Sequence, residues 1–88
     1  MKLKYTVYIL YNFNSERFYV GMTEDLNRRL EEHEKAKLSH RNKGFDNIFI
    51  EIYCNKQDAL RREKYLKTSK GKFTLKAMLK ETLKSMHT

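Results

Sequence analysis

The sequence predicts an α+β domain in which a three-stranded, mainly antiparallel sheet is flanked by helices, in the order ββαβαα. Three segments rich in β-branched and aromatic residues are typical of strands: 4–11, 17–21 and 48–54. Helical periodicity follows the second and the third of them. This order differs from the four-stranded βαββαβ sheet of the common RNA-recognition domain. The 88 residues provide room for one domain, which we expect to span 1–88.

The first two strands are expected to form a hairpin. Residues 4–11 are almost continuously apolar, which indicates a central strand covered on both faces. The segment 12–15 reads Asn-Phe-Asn-Ser, and the short polar side chains in it favour a turn because they bond to the local backbone. Residues 17–21 should therefore return antiparallel to the first strand.

A helix is predicted directly after the hairpin. Thr23 is its expected N-cap, and Glu24 and Asp25 fall in the first turn, where the helix dipole favours negative charge. The helix should run to about Lys37, with a buried side marked by Leu26 and the leucine four residues later.

Two more helices are predicted after the third strand. Asn55 is a favourable N-cap for a helix over residues 56–68. Gly71 then separates this helix from a basic C-terminal one over about 72–86, in which leucines recur at helical spacing. We place the core of the domain at about 4–72.

The charge of the chain is unevenly distributed. Residues 1–59 carry 10 basic and 9 acidic side chains, whereas residues 60–88 carry 9 basic and 2 acidic ones. Such a concentration indicates a surface that meets a polyanion, and a solvated, solubilising face is the alternative. The same choice applies to the lysines that recur every four residues in the last helix, which form either a row of phosphate contacts or a solvated face: Lys72, Lys76, Lys80 and Lys84.

We expect a soluble, cytoplasmic protein with no membrane partner. The apolar run near the N-terminus has about seven residues and no small-residue cleavage site after it. No segment approaches the length of a membrane span. A single cysteine, Cys54, excludes an intramolecular disulfide. The oligomeric state is left open by the sequence.

Glu63 breaks the pattern of its helix. On a helical wheel it falls between Ala59, Leu60 and Leu66, which define the buried sector. An acid among core-facing residues loses hydration, so it needs a partner. That partner is either a metal ion or a nearby arginine.

Arg29 and His33 form a second unusual pair. They are four residues apart on the first helix, so they lie on one face at the edge of the apolar side. Arginine can hold a phosphate through two parallel hydrogen bonds, and histidine can move a proton near neutral pH. The alternative is a surface arginine with an ordinary edge histidine.

The hairpin is crowded with tyrosines. Tyr5, Tyr8, Tyr11 and Tyr19 all lie on its two strands. Tyrosines in strands usually pack against neighbours with their hydroxyls at the rim. A phenol held near a phosphate can also donate or accept a proton in phosphodiester cleavage.

These positions together resemble the GIY-YIG nuclease superfamily, in particular its small single-domain bacterial members. The half-motifs are Thr6-Val7-Tyr8 and Tyr19-Val20-Gly21, with Tyr19 eleven positions after Tyr8. Arg29 and His33 follow Tyr19 by ten and fourteen positions, as in the family, and Glu63 stands in the place of the family's metal ligand. The resemblance covers about residues 4–72. Thr6 replaces the first glycine of the family motif.

The resemblance implies a metal-dependent endonuclease that hydrolyses phosphodiester bonds in DNA, acting on branched or damaged DNA in repair or recombination. Glu63 would hold one Mg²⁺ or Mn²⁺. Tyr8, with Tyr19, would position or deprotonate the attacking water. Arg29 would neutralise the transition-state phosphate, and His33 would assist proton transfer or hold the phosphate. The alternative is a non-catalytic nucleic-acid-binding module on the same scaffold.

The resemblance also implies structural and binding residues around this site. Val20 and Gly21 belong to the second half-motif, and the glycine would let the backbone turn closely at the strand end. Contacts to nucleic acid are expected from basic residues in the loop and after the second helix: Lys43, Lys67, Lys70 and Lys72.

Overall fold

The computed structural model describes residues 2–38 and 44–87. It has the predicted α+β architecture, a three-stranded antiparallel sheet packed between helices. In the described residues the elements are β1 (Tyr5–Asn12), β2 (Arg17–Thr23), α1 (Leu26–Leu38), β3 (Phe45–Tyr53), α2 (Lys56–Leu66), α3 (Ser69–Met78) and α4 (Lys80–Met86). None of the helices in these residues is both long enough and apolar enough to cross a membrane.

The strand β1 lies at the centre of the sheet, between β2 and β3, and both pairings are antiparallel. Its residues from Thr6 to Tyr11 are all buried, which confirms the prediction of a central strand covered on both faces. The hairpin turn is held as expected by the side chain of Asn12, whose oxygen accepts hydrogen bonds from the backbone of Asn14 and Ser15.

The two faces of β1 have different partners. Val7 and Ile9 point into the main core, where they pack with Val20 of β2 and with buried residues of α2, α3 and the α3–α4 junction. Tyr8 and its neighbours of the same parity point to the opposite face of the sheet, because successive strand residues alternate in direction. That opposite face is the one on which α1 lies, since Arg29 of α1 bonds to Tyr8.

The start of α1 differs from the sequence prediction. Thr23 is still part of β2, and its hydroxyl accepts a hydrogen bond from the backbone of Asp25. The helix begins at Leu26, and the carboxylate of Asp25 accepts a hydrogen bond from the backbone of Arg28. Asp25 is therefore the N-cap. The strand β2 extends two residues beyond its predicted end, so the helix also begins two residues later than predicted.

The helix α2 is capped at its N-terminus and joined to the sheet by packing and by an ion pair. Asn55 caps it as predicted, with its side-chain oxygen accepting from the Gln57 backbone at 2.8 Å. Ala59 and Leu66 are fully buried in the core. On the β3 side, Arg62 donates two hydrogen bonds to Glu51, of 2.9 and 3.2 Å, which hold α2 against the edge strand.

The single C-terminal helix predicted over 72–86 is wrong, because the structure divides this segment into α3 and α4 at Leu79. Gly71 does not separate helices either; it is a buried residue inside α3, and Thr68 is the N-cap. Leu75 and Leu79 are buried in the core and Leu83 packs against it. The helix is interrupted at Leu79, whose φ of −106° and ψ of 24° depart from helical values. The three leucines are spaced four residues apart, so they stay on the face that meets the core.

Candidate active site

The ring of Tyr8 covers Gly21 on the neighbouring strand. The two residues are paired directly across β1 and β2. A Cβ atom on Gly21 would overlap the outer end of the Tyr8 ring, so only glycine leaves room for it. Tyr8 is 6% exposed, and its ring stacks at 6.4 Å between centroids with the ring of Tyr19, which is 50% exposed. The two half-motifs therefore place one buried tyrosine, Tyr8, beside one accessible tyrosine, Tyr19.

Arg29 joins this pair from α1. Its Nε donates a hydrogen bond of 2.9 Å to the phenol oxygen of Tyr8, and its guanidinium carbon lies 5.3 Å from the centre of the Tyr8 ring. The hydrogen bond to Tyr8 is the main cause that raises the pKa of Arg29 above its ordinary value. The Tyr19 and Glu32 side chains raise it further, against the effect of desolvation. Arg29 is therefore held as a fixed cation.

A small cleft opens beside these residues. It has a volume of about 170 Å³ and is lined by Leu10, Tyr19, Arg29 and Phe45. Glu32 approaches its edge, with one carboxylate oxygen 3.8 Å from a terminal nitrogen of Arg29. The cleft thus offers a cation and a phenol to a small anionic group such as a phosphate.

His33 lies one turn after Arg29 and is the buried residue of α1, with 3% exposure. Its Nε2 is 3.0 Å from the backbone carbonyl oxygen of Phe45, at the start of β3. A carbonyl oxygen can only accept, so Nε2 carries the hydrogen in this contact. The bond ties the helix that carries Arg29 to the strand that closes the cleft. The predicted part of His33 in proton transfer stays a prediction.

Glu63 occupies the partly buried position that the helical wheel predicts. Its side chain is 19% exposed, and one carboxylate oxygen lies 3.3 Å from the Nζ of Lys67 on the next turn of α2. The described residues contain no group of three or more His, Cys, Asp or Glu side chains that could hold a metal ion. Glu63 is therefore a single candidate ligand, at present paired with a lysine.

The family profile of the GIY-YIG catalytic domain matches residues 4–76 of the chain, a range that includes Tyr8, Tyr19, Arg29, His33 and Glu63. The chain belongs to the GIY-YIG family. The two tyrosine half-motifs lie on the paired strands β1 and β2. No characterised protein and no solved structure matches the chain significantly.

Membership in the GIY-YIG family makes this a nuclease-type domain with a nucleic-acid substrate. The contacts bring together three of the predicted site residues, Tyr8, Tyr19 and Arg29, on one face of the sheet. His33 lies next to this cluster and bonds to the backbone carbonyl of Phe45. Glu63 makes its ion pair with Lys67, and Lys67 in turn lines a depression together with Tyr19. Lys67 thus lies between the predicted metal ligand and the tyrosine cluster.

The predicted nucleic-acid contacts in this GIY-YIG domain fall in different places. Lys67 and Lys72 both line the depression beside Tyr19. Lys70 is exposed in the first turn of α3. Lys43 lies outside the described residues.

Two residues of the GIY-YIG site were missed by the sequence reasoning. Glu32 reaches Arg29 from three residues further along α1, so helical spacing could have indicated it. Phe45 contributes both a wall of the cleft and the carbonyl that holds His33. No sequence signal indicates Phe45, because its role depends on the packing of β3 beside α1.

Proposed function

We propose that this GIY-YIG domain is a metal-dependent endonuclease that hydrolyses phosphodiester bonds in DNA, with branched or damaged DNA in repair or recombination as its substrate. The observation that carries the proposal is the charged hydrogen bond between Arg29 and Tyr8 at the edge of a cleft that Tyr19 also lines. An arginine and a phenol fixed beside a small cleft suit a phosphate and an attacking water.

Arg29 binds the scissile phosphate. Its Nε is used by Tyr8, which leaves the N–H groups of the two terminal nitrogens for phosphate oxygens. Because the hydrogen bond fixes the guanidinium in advance, little side-chain entropy is lost when the phosphate binds. Glu32, at 3.8 Å, gives way to the phosphate, since this exposed ion pair contributes little.

The two tyrosines act on the attacking water. The oxygen of Tyr8 accepts from Arg29, so its own O–H is directed elsewhere and can hold a water next to the phosphate. Tyr19 is the accessible phenol of the pair and provides a second hydroxyl at the mouth of the cleft. His33 acts as a positioning residue, because its bond to Phe45 sets the place of the helix that carries Arg29.

Glu63 fits a single Mg²⁺ or Mn²⁺ ligand. These hard cations take oxygen donors, and Mg²⁺ usually keeps several waters and binds one or two carboxylates together with substrate phosphates. A partly buried carboxylate, with no larger acidic cluster in the described part of the chain, agrees with that habit. Lys67 is a weak competitor, because ion pairs between residues four apart on a helix contribute only about 0.3–0.5 kcal/mol. When bound, the ion stabilises negative charge on the phosphate and on the departing oxygen.

The pairing of Glu63 with Lys67 also favours one alternative. A carboxylate that stays neutralised by lysine would hold no metal, and the domain would then be a non-catalytic module that binds nucleic acid on the same scaffold. A cleavage assay distinguishes the endonuclease from the non-catalytic module, because both would bind nucleic acid and only the endonuclease would cleave it.

The test is metal-dependent nicking of supercoiled plasmid, followed by a panel of linear, single-stranded, branched and damaged DNA and a matched RNA. We expect nicking with Mg²⁺ or Mn²⁺ and none in EDTA. Glu63→Gln removes the carboxylate and should abolish nicking, while Glu81→Gln, an exposed acid on α4, should not. Nicking by Glu63→Gln at the wild-type rate would refute the metal assignment. Tight binding without any nicking would establish the alternative.

A further inference from the structure

Three shallow depressions follow one another along β2, an edge strand of the sheet. Their volumes are about 200, 350 and 360 Å³. Phe18 of β2 lines all three, and Lys72 and Lys76 are each shared by two of them, so the depressions form one continuous groove. One acid, Glu16, also lines two of the depressions, where basic residues outnumber it. We call this surface the basic groove and define it by Arg17, Phe18, Lys72, Lys76 and Lys80.

In the described part of the chain, the cations of the basic groove have no acidic partner. No carboxylate of residues 2–38 and 44–87 lies within 4.0 Å of the basic groups of Arg17, Lys72, Lys76 or Lys80. Arg28, by contrast, pairs with an acid on its own helix. Unpaired cations along a groove attract a polyanion, because binding releases the polyanion's counterions and no internal ion pair must be broken.

The basic groove continues into the active-site cleft. Tyr19 lines the cleft together with Arg29, and it also lines the first depression together with Lys67 and Lys72. A strand whose phosphate lies at Arg29 can therefore pass Tyr19 and enter the groove without leaving the surface.

The spacing of the groove cations also suits a nucleic-acid backbone. Lys72 and Lys76 are one helical turn apart on α3, about 6 Å along the axis. One strand of B-form DNA carries a phosphate about every 3.4 Å of the axis, so each lysine meets about every second phosphate. The outer side of β2 adds backbone N–H groups of an edge strand, which are common donors to phosphate oxygens.

We infer that the basic groove binds the sugar–phosphate backbone of the DNA strand on one side of the scissile phosphate. The inference rests on the proposed function for the position of that phosphate in the cleft. It gives the substrate a direction, because binding needs several nucleotides on the groove side and only the nucleotide joined through the scissile phosphate on the other.

The first test measures binding in EDTA, where no cleavage occurs, by fluorescence anisotropy of a labelled 20-base-pair duplex at several salt concentrations. The groove variant is Lys72→Ala/Lys76→Ala/Lys80→Ala. The control variant is Lys2→Ala/Lys35→Ala/Lys64→Ala, which removes the same charge from exposed lysines outside the groove. The slope of log affinity against log salt should fall by about 0.9 for each phosphate that the groove variant no longer neutralises, and should stay near wild type in the control.

Equal slopes in the two triple variants would overturn the inference, since only net charge would then matter. All six lysines are exposed, so both variants should fold, and circular dichroism with thermal unfolding checks this.

The second test separates the groove from the chemistry. In single-turnover cleavage, the groove variant should need a higher protein concentration for half-saturation but keep the rate at saturation, whereas Glu63→Gln should bind normally and fail to cleave. Substrates shortened step by step on one side of the cleavage site should lose affinity on that side only, and symmetric losses would contradict the groove. If no DNA is cleaved, the proposed function fails, but the anisotropy measurement still shows whether the basic groove binds the DNA backbone.

Discussion

The phenol oxygen of Tyr8 accepts a 2.9 Å hydrogen bond from the Nε of Arg29. This contact joins the central strand of the sheet to the first helix across 21 positions of sequence. It fixes the orientation of a guanidinium that is 25% exposed and lines the cleft. The two side chains therefore form one unit, in which each residue sets the position of the other.

We predict that Tyr8→Phe and Arg29→Ala have non-additive effects on cleavage. Loss of a positioned donor to the transition state typically lowers the rate by about 10²–10³-fold, and we expect that range for Arg29→Ala. Once Arg29 is absent, Tyr8→Phe should reduce the single-turnover rate little further, because residues acting as a unit fail together. Fully multiplicative losses in the double variant would show that the two residues act independently.

Gly21→Ala should displace the Tyr8 ring and lower cleavage with it, because the added methyl group overlaps that ring. Overpacking of this kind costs about 1–3 kcal/mol of unfolding free energy, which urea titration measures. In a Tyr8→Ala background the same glycine substitution should be nearly neutral for both stability and activity. A similar penalty in both backgrounds would mean that the methyl group clashes with something other than Tyr8.

His33 should act on cleavage through position. His33→Gln can still donate an N–H toward the Phe45 carbonyl and should retain most of the activity, with a pH–rate profile of unchanged shape. His33→Leu leaves that partly buried carbonyl without this donor, which costs about 1–3 kcal/mol of unfolding free energy and should loosen the cleft. Disappearance of an ionisation from the pH–rate profile of His33→Gln would instead support proton transfer by His33.

Gly71→Ala is expected to destabilise the fold and to leave the chemistry of the folded molecules unchanged. Its Cβ would overlap the backbone of Tyr65 and Leu66, which cannot move aside as a flexible side chain does. We expect a loss of at least about 1–3 kcal/mol of unfolding free energy. Thr68→Ala, which removes the neighbouring N-cap, provides the comparison at about 1 kcal/mol. A smaller effect for Gly71→Ala than for Thr68→Ala would contradict the close packing of α3 on α2.

Tyr11 should make the domain less stable at alkaline pH. Burial, with a smaller effect of Glu16, raises the pKa of Tyr11 above its ordinary value of 10.0. The folded chain then holds a proton that the unfolded chain releases, so this stability is complete below about pH 10 and is lost as the pH rises through the folded value. The free energy of unfolding, measured by urea titration from pH 8 to pH 11, should decline more steeply in the wild type than in Tyr11→Phe. Parallel declines would place the alkaline effect elsewhere, for instance at Tyr53, whose pKa is raised mainly by burial as well.

Local sequence signals determined most of the secondary structure. The hairpin, the central position of β1 and the Asn55 cap follow from turn residues, from continuous apolarity and from a side chain that bonds to its own backbone. The cluster of Tyr8, Tyr19 and Arg29 was expected from the family resemblance, and the pairing of β1 with β2 and the packing of α1 bring these side chains into contact. The roles of His33 and Glu63 remain predictions of that resemblance.

Tertiary structure decided the rest, since it depends on contacts between segments that are distant in sequence. The division of the last helix at Leu79 has no counterpart in the local sequence, which reads as one helix. The hydrogen bond from His33 to Phe45 forms because β3 packs beside α1. Tyr19 borders the basic groove because α3 packs beside β2. The periodicity of the sequence does not predict which elements pack together. A side chain's type follows from the sequence, but the atom that it faces is set only when the chain has packed.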